Sequence, residues 1–192
     1  MGVRSSLKLI DVPRYEALVD AIKRAYRDVL RGRYPIRDLA LVSLLAFTGC
    51  RLGEALRIRA YDLDFRRKVV RIHQEKKRRV FVRFVPVPSR IFWDVMGLYL
   101  RNVLTKDSLL FSIGDRQARN VVYKFSLRYL GRRIRPHAFR HSYATFILRN
   151  LKDLETLRRL LGHSDYSVIK EYLNYTQEDL EMDLERIFRE LE

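Results

Sequence analysis

Leu39-Ala40-Leu41-Val42-Ser43-Leu44-Leu45-Ala46-Phe47-Thr48-Gly49-Cys50-Arg51-Leu52-Gly53-Glu54 is the stretch that decides the fold. Its first nine residues are apolar almost all round, and a helix without a polar face belongs inside a protein. Thr48-Gly49 ends it, because glycine enters the left-handed turn that closes a helix at no steric cost. A basic residue, Arg51, then follows a buried helix and a tight turn, where its head group is held rather than solvated at random. Glu54, three residues on, is placed to orient it through a charge-assisted hydrogen bond.

Working outward, Tyr15, Leu18, Ile22, Tyr26 and Val29-Leu30 recur every three or four residues after Pro13, which predicts an amphipathic helix. C-terminal to the central stretch the period changes. Val69-Val70-Arg71-Ile72 and Val80-Phe81-Val82-Arg83-Phe84-Val85 predict a hairpin, with Glu75-Lys76-Lys77-Arg78-Arg79 as its basic tip and Pro86 and Pro88 ending the second strand. Helical patterns resume after Ser89 and Asp115, read as N-caps. Others begin at Pro136, cover Leu154–Leu161, and start from Ser164 to carry Val168, Ile169 and Tyr172. A last stripe, Leu180, Leu184, Ile187 and Leu191, predicts a C-terminal amphipathic helix over 177–192. The predicted class is mainly α with a small antiparallel β-sheet (α+β).

The chain has 192 residues and a formal net charge of +16, with a pI near 10.3. Such a balance predicts a polyanionic partner, because Lys and Arg on one surface release counterions from phosphates. Residues 1–150 hold 33 Lys or Arg against 12 Asp or Glu, whereas 151–192 hold 6 against 11. The basic body is therefore expected to face nucleic acid and the acidic tail to face protein. The one cysteine, Cys50, is read as a buried structural thiol. With no secretory signal and no long apolar span, the cell interior (cytoplasm) is expected, with no membrane partner. Asn and Gln total seven, a composition that fits a hot-living source. The histidine spacing offers no metal site and no glycine-rich phosphate loop is present, so no cofactor is expected.

Three segments carry the chemistry: Thr48-Gly49-Cys50-Arg51-Leu52-Gly53-Glu54, Pro136-His137-Ala138-Phe139-Arg140-His141-Ser142-Tyr143-Ala144-Thr145, and Leu161-Gly162-His163-Ser164-Asp165 with Tyr172 nine residues after the histidine. Their order and spacing resemble the tyrosine recombinase family of phage integrases and Xer proteins, from about residue 36 to 176. An archaeal or archaeal-virus integrase is within that resemblance. It implies the tyrosine recombinase catalytic-domain fold over 1–176, an enzyme that cuts and rejoins double-stranded DNA, and assembly with other protomers. It also implies an N-terminal DNA-clamping domain, which we expect to be absent here.

The residue types suit that chemistry. Breaking a phosphodiester with a tyrosine requires that two non-bridging oxygens be bound, and the planar guanidinium fork does this. The phenol, with a reference pKa near 10, must be activated, and the leaving 5′-oxygen must gain a proton. Arg51 and Arg140 are the expected phosphate-binding arginines, with Arg140 one turn from His137 on a shared face. The resemblance implies that His137 contacts the phosphate or helps deprotonate the tyrosine, that His163 donates a second hydrogen bond to phosphate, and that Tyr172 is the nucleophile. It places a catalytic lysine in the basic hairpin, where Lys76 fits best and Lys77 stays open. Tyr175 is the alternative nucleophile; Tyr166 lies too near His163. His73 and His141 are assigned structural roles, with His141 pointing elsewhere on its helix. The C-terminal stripe packs on its own domain or on a neighbouring protomer, and both readings stand. Two rivals share the charge: a type IB topoisomerase, separable by relaxation and paired-site assays, and a DNA-binding regulator without catalysis, which leaves the matched positions unexplained.

Overall fold

The computed structural model describes residues 12–76, 79–101 and 107–162, without the side chains of 75–80. Seven α-helices and one small sheet occur among these residues. The order is α1 (Tyr15–Leu30), α2 (Ile36–Thr48), α3 (Leu52–Ala55), a 3-10 turn (Ala60–Asp62), β1 (Leu63–Asp64), β2 (Val69–Lys76), β3 (Arg79–Pro86), α4 (Arg90–Leu100), α5 (Asp115–Leu130), α6 (Pro136–Leu151) and α7 (Leu154–Leu161).

The apolar stretch forms α2, and every residue from Leu39 to Thr48 is buried. It is the axis of the molecule and packs against α1, α4, α5 and α6. α1 presents Leu18, Ala21, Ile22 and Ala25 to it, the three-to-four spacing read from sequence. Two of the large buried aromatic rings are held at their polar tips as well as their faces. Trp93 donates its indole N–H to the Val87 carbonyl at 2.7 Å, and the Tyr99 hydroxyl donates to Leu110 O at 2.6 Å, so neither buried ring leaves a polar atom unmatched.

β1, β2 and β3 form an antiparallel sheet in that order. The register pairs Val70 with Val85 and Arg71 with Phe84, and the alternation buries Val70, Ile72 and Val85 while Phe84 is 61% exposed. Lys76 pairs with Arg79, leaving only residues 77 and 78 between the strands. The basic tip is thus shorter than expected: Glu75, Lys76 and Arg79 belong to the strands, because pairing continues to the last two residues. The third strand, β1, is two residues long and carries no pattern of its own.

Two expected caps differ. Ser89 stands at the N-cap of α4 but makes no side-chain capping bond, and Gly114, not Asp115, caps α5. Asp115 is the first helical residue, where its charge still suits the helix dipole. A second, smaller core lies between α6 and α7, built from Tyr143, Ala144, Leu148, Leu157 and Leu161 and flanked by Tyr15. It seats the end of α7 against the turn that closes α2. The segment from Ser164, including Val168 and Ile169, and the C-terminal stripe lie outside the described residues.

Candidate active site

The turn after α2 is the centre of the site. Gly49 is left-handed, with φ at 60°, and donates its N–H to Leu45 O. A Cβ there would run into the Tyr143 ring edge and lie 3.1 Å from Leu161 Cδ2. Glycine is required both by the dihedral and by the close approach of α6 and α7.

Arg51 begins the next turn. Its amide donates to Glu54 Oε2 at 2.9 Å and its Nη1 to Glu54 Oε1 at 3.2 Å. The orienting role read for Glu54 is what the geometry has. The Arg51 side chain keeps 42% of its surface in solvent, while that of Glu54 keeps 6%. Burial pushes the Glu54 carboxyl up, but hydrogen bonding and charge from Arg83, the Arg51 amide and the charge of Arg140 outweigh it, so the net shift is downward. The carboxylate therefore stays ionised and holds its cations at neutral pH.

Arg140 sits on α6 at 1% exposure. It donates Nη1 to Gly49 O at 2.7 Å and Nη2 to Leu161 O at 2.9 Å. One guanidinium thus ties the turn that precedes Arg51 to the end of α7, next to His163 in sequence. Arg51 is open to solvent and Arg140 is buried.

His137 lies in the first turn of α6 and is exposed. Its ring meets the His141 ring edge-on, with centroids 4.6 Å apart. Four residues along a helix is one turn, which brings the two rings together edge to face. His141 is buried, and desolvation, aided by His137 and Arg140, pulls its pKa down to about 4. It is neutral at physiological pH. His73 has the structural role expected of it, with Nε2 at 2.9 Å from Oδ1 of the buried Asp62.

Lys76 is the last residue of β2, two beyond Gln74 and opposite Arg79, so its position has the parity of Gln74 and Ile72. Lys77, His163, Tyr166, Tyr172 and Tyr175 lie outside the described residues. Gly162, which precedes His163, is left-handed at φ 67° and caps α7. Cys50 is buried, and its thiol is pushed up to about 11 by burial first and by Glu54 second, as befits an inert structural thiol.

One residue of this cluster escaped the sequence reading. Arg83, on β3, reaches Glu54 with Nη2 at 2.7 Å and Nη1 at 3.3 Å, and its Nε donates to Leu160 O at 2.9 Å. A signal existed: Arg83 alternates with the buried Val85, and a charge in that register needs a buried partner. It was masked because Val80, Val82 and Phe84 make the other parity apolar too.

No group of three or more potential ligands capable of holding a metal occurs among the described residues, and no helix among them is long and apolar enough to cross a membrane.

Known proteins resemble this chain in sequence and in fold. A sequence profile of the phage integrase family matches residues 9–179. Tyrosine recombinase XerC of Listeria innocua is 32% identical over 155 residues, 76% of this chain and 52% of the relative. Tyrosine recombinase XerA of Thermococcus onnurineus is 31% identical over 153 residues, 75% of this chain and 53% of the relative. The chain thus spans about half the length of these curated relatives. Among solved structures, the XerH site-specific recombinase bound to a palindromic difH substrate, a post-cleavage complex, superposes with a TM-score of 0.74 at 20% identity, covering 95% of this chain and 55% of that one. A XerA recombinase crystal structure gives 0.65 at 22% identity, covering 84% and 60%. These likenesses place the helices and sheet described above in the tyrosine recombinase catalytic-domain fold. The chain belongs to the phage integrase family, the tyrosine recombinases.

Proposed function

We propose that this protein is a site-specific DNA recombinase that cuts and rejoins strands through a 3′-phosphotyrosine link, on DNA inside the cell and together with other protomers. The observation that carries the reading is the turn at 49–51. It presents the solvent-facing Arg51, anchored by an ionised Glu54, while the Gly49 carbonyl of the same turn receives Arg140 from the helix that carries His137. A guanidinium fixed in this way meets a non-bridging phosphate oxygen with little reorganisation.

In the proposed reaction the Tyr172 oxygen attacks phosphorus and the P–O5′ bond breaks. The phenolic proton passes to His137 or solvent, and Lys76 supplies a proton to the departing 5′-oxygen. Arg51, Arg140 and His163 offset the charge on the non-bridging oxygens. Rejoining reverses these steps with a new 5′-hydroxyl. The phosphotyrosine keeps the energy of the broken ester, so the cycle balances without metal or nucleotide. The C-terminal segment, 177–192, is proposed to contact a neighbouring protomer, with packing on its own domain as the alternative.

The test is covalent trapping on a nicked suicide duplex followed by peptide mapping. The adduct is expected on Tyr172 and lost in Tyr172→Phe. An adduct that persists in Tyr172→Phe transfers the role to another tyrosine, Tyr175 first. No adduct from the full-length wild type on its cognate site overturns the enzymatic reading.

A further inference from the structure

Arg83 has a buried head, with 10% of its side chain exposed, and three ties: two to Glu54 and one to the Leu160 carbonyl. Its surroundings leave no slack. A Cβ on Gly162 would lie 2.9 Å from Arg83 Nη1, 3.2 Å from its Cδ and 2.5 Å from Gln74 Oε1. The ties lead from one segment to two others. Glu54 anchors Arg51. Leu160 is three residues from His163. Arg83 itself belongs to β3, which pairs with the strand ending at Lys76.

We infer that Arg83 is a positioning residue that fixes the Arg51 turn, the end of α7 and the β2–β3 hairpin relative to one another, so that the groups they carry meet one phosphate together. This rests on the recombinase reading above. The chemistry favours such a role over simple stabilisation. A buried ion pair is a poor source of stability, since an apolar pair of similar volume often serves as well or better. What the pair supplies is direction. The guanidinium fork binds the carboxylate end-on through both Nη atoms and still presents Nε to a carbonyl, which a lysine point charge does not reproduce.

The test compares wild type, Arg83→Lys and the apolar pair Glu54→Met/Arg83→Met in full-length protein. Single-turnover cleavage is measured on a nicked duplex carrying the site recovered by covalent trapping from the source DNA. Three versions of the scissile linkage are used: the native diester, a methylphosphonate that lacks one anionic oxygen, and a 5′-bridging phosphorothiolate whose sulfur leaves without a proton. Urea denaturation shows which variants are folded.

Arg83→Lys is expected to cleave the diester roughly 100-fold more slowly, the scale of a misplacement of about 1 Å, with DNA affinity close to wild type. The deficit should shrink on a modified linkage: on the methylphosphonate where Arg51 is misplaced, on the phosphorothiolate where the hairpin lysine is. The double methionine variant should fold and show the same selective loss. An equal loss on all three linkages, a loss that tracks DNA affinity, or a wild-type rate in Arg83→Lys overturns the positioning role alone. A wild type that cleaves none of the three removes the recombinase reading, and this role with it.

Discussion

Replacing Gly49 with alanine tests the geometry on which the site depends. Two costs add. An L-residue held in the left-handed region costs about 1–2 kcal/mol, and Gly49 is there at φ 60°. The new methyl also enters the Tyr143 ring edge and comes 3.1 Å from Leu161 Cδ2. Tyr143 is buried between α6 and α7, so it yields only by shifting the small core, and such overpacking costs about 1–3 kcal/mol. The expected loss is therefore about 2–5 kcal/mol, read by urea denaturation at fixed temperature. A second background separates the two parts. With Tyr143→Leu already present the ring is gone and only the approach to Leu161 remains, so Gly49→Ala should cost little more than its dihedral share of about 1–2 kcal/mol. Cleavage should fall more than stability does, since Gly49 O receives Arg140 Nη1 at 2.7 Å and a shifted turn moves both arginines. Equal costs in the two backgrounds would refute the close-approach argument. A Gly49→Ala protein within about 0.5 kcal/mol of wild type would refute both parts.

Further expectations follow from other contacts. His141 has a pKa pulled from an ordinary 6.5 to about 4 by burial, so between those values the unfolded chain binds more protons than the folded one. Stability should be complete above pH 6.5 and decline as pH falls toward 4, by about 1–2 kcal/mol once solvent screening is allowed for; a denaturation series whose slope is unchanged in His141→Gln contradicts this. Leu157, fully buried in the α6–α7 core, should cost about 2–4 kcal/mol as Leu157→Ala and reduce cleavage more than DNA binding, by displacing the carbonyls that receive Arg140 and Arg83; normal cleavage in a destabilised variant counts against α7 as a support of the site. Cys50 should resist iodoacetamide in native protein and react in urea, measured by mass spectrometry, because its buried thiol titrates only near 11; rapid native alkylation shows the turn to be open. DNA affinity should fall by about 10³-fold or more between 50 and 200 mM salt, and a flat response in a fluorescence titration removes the electrostatic argument from the charge of +16.

Much of this was legible in the chain alone, and for a common reason. The order of the longer elements, the buried α2, the left-handed Gly49 and the Arg51–Glu54 pair all depend on residues close in sequence, where helical period, glycine stereochemistry and a three-residue reach act locally. The likeness of the His137–Arg140 and Gly162-His163 segments to a known family is equally a property of the string. The sequence also carried the positive charge, because charge needs no fold to be counted.

Only the tertiary structure decided what depends on long-range approach. It turned Arg140 inward to bond carbonyls 91 and 21 residues away. It shortened the basic tip by pairing Lys76 with Arg79, since the end of strand pairing is set by two strands and not by either one. Above all it placed Arg83, 29 residues from Glu54, at the junction of three segments. A buried guanidinium is specified by partners drawn from distant elements, and no local pattern encodes them; the sequence names the charges, and packing chooses which of them face one another.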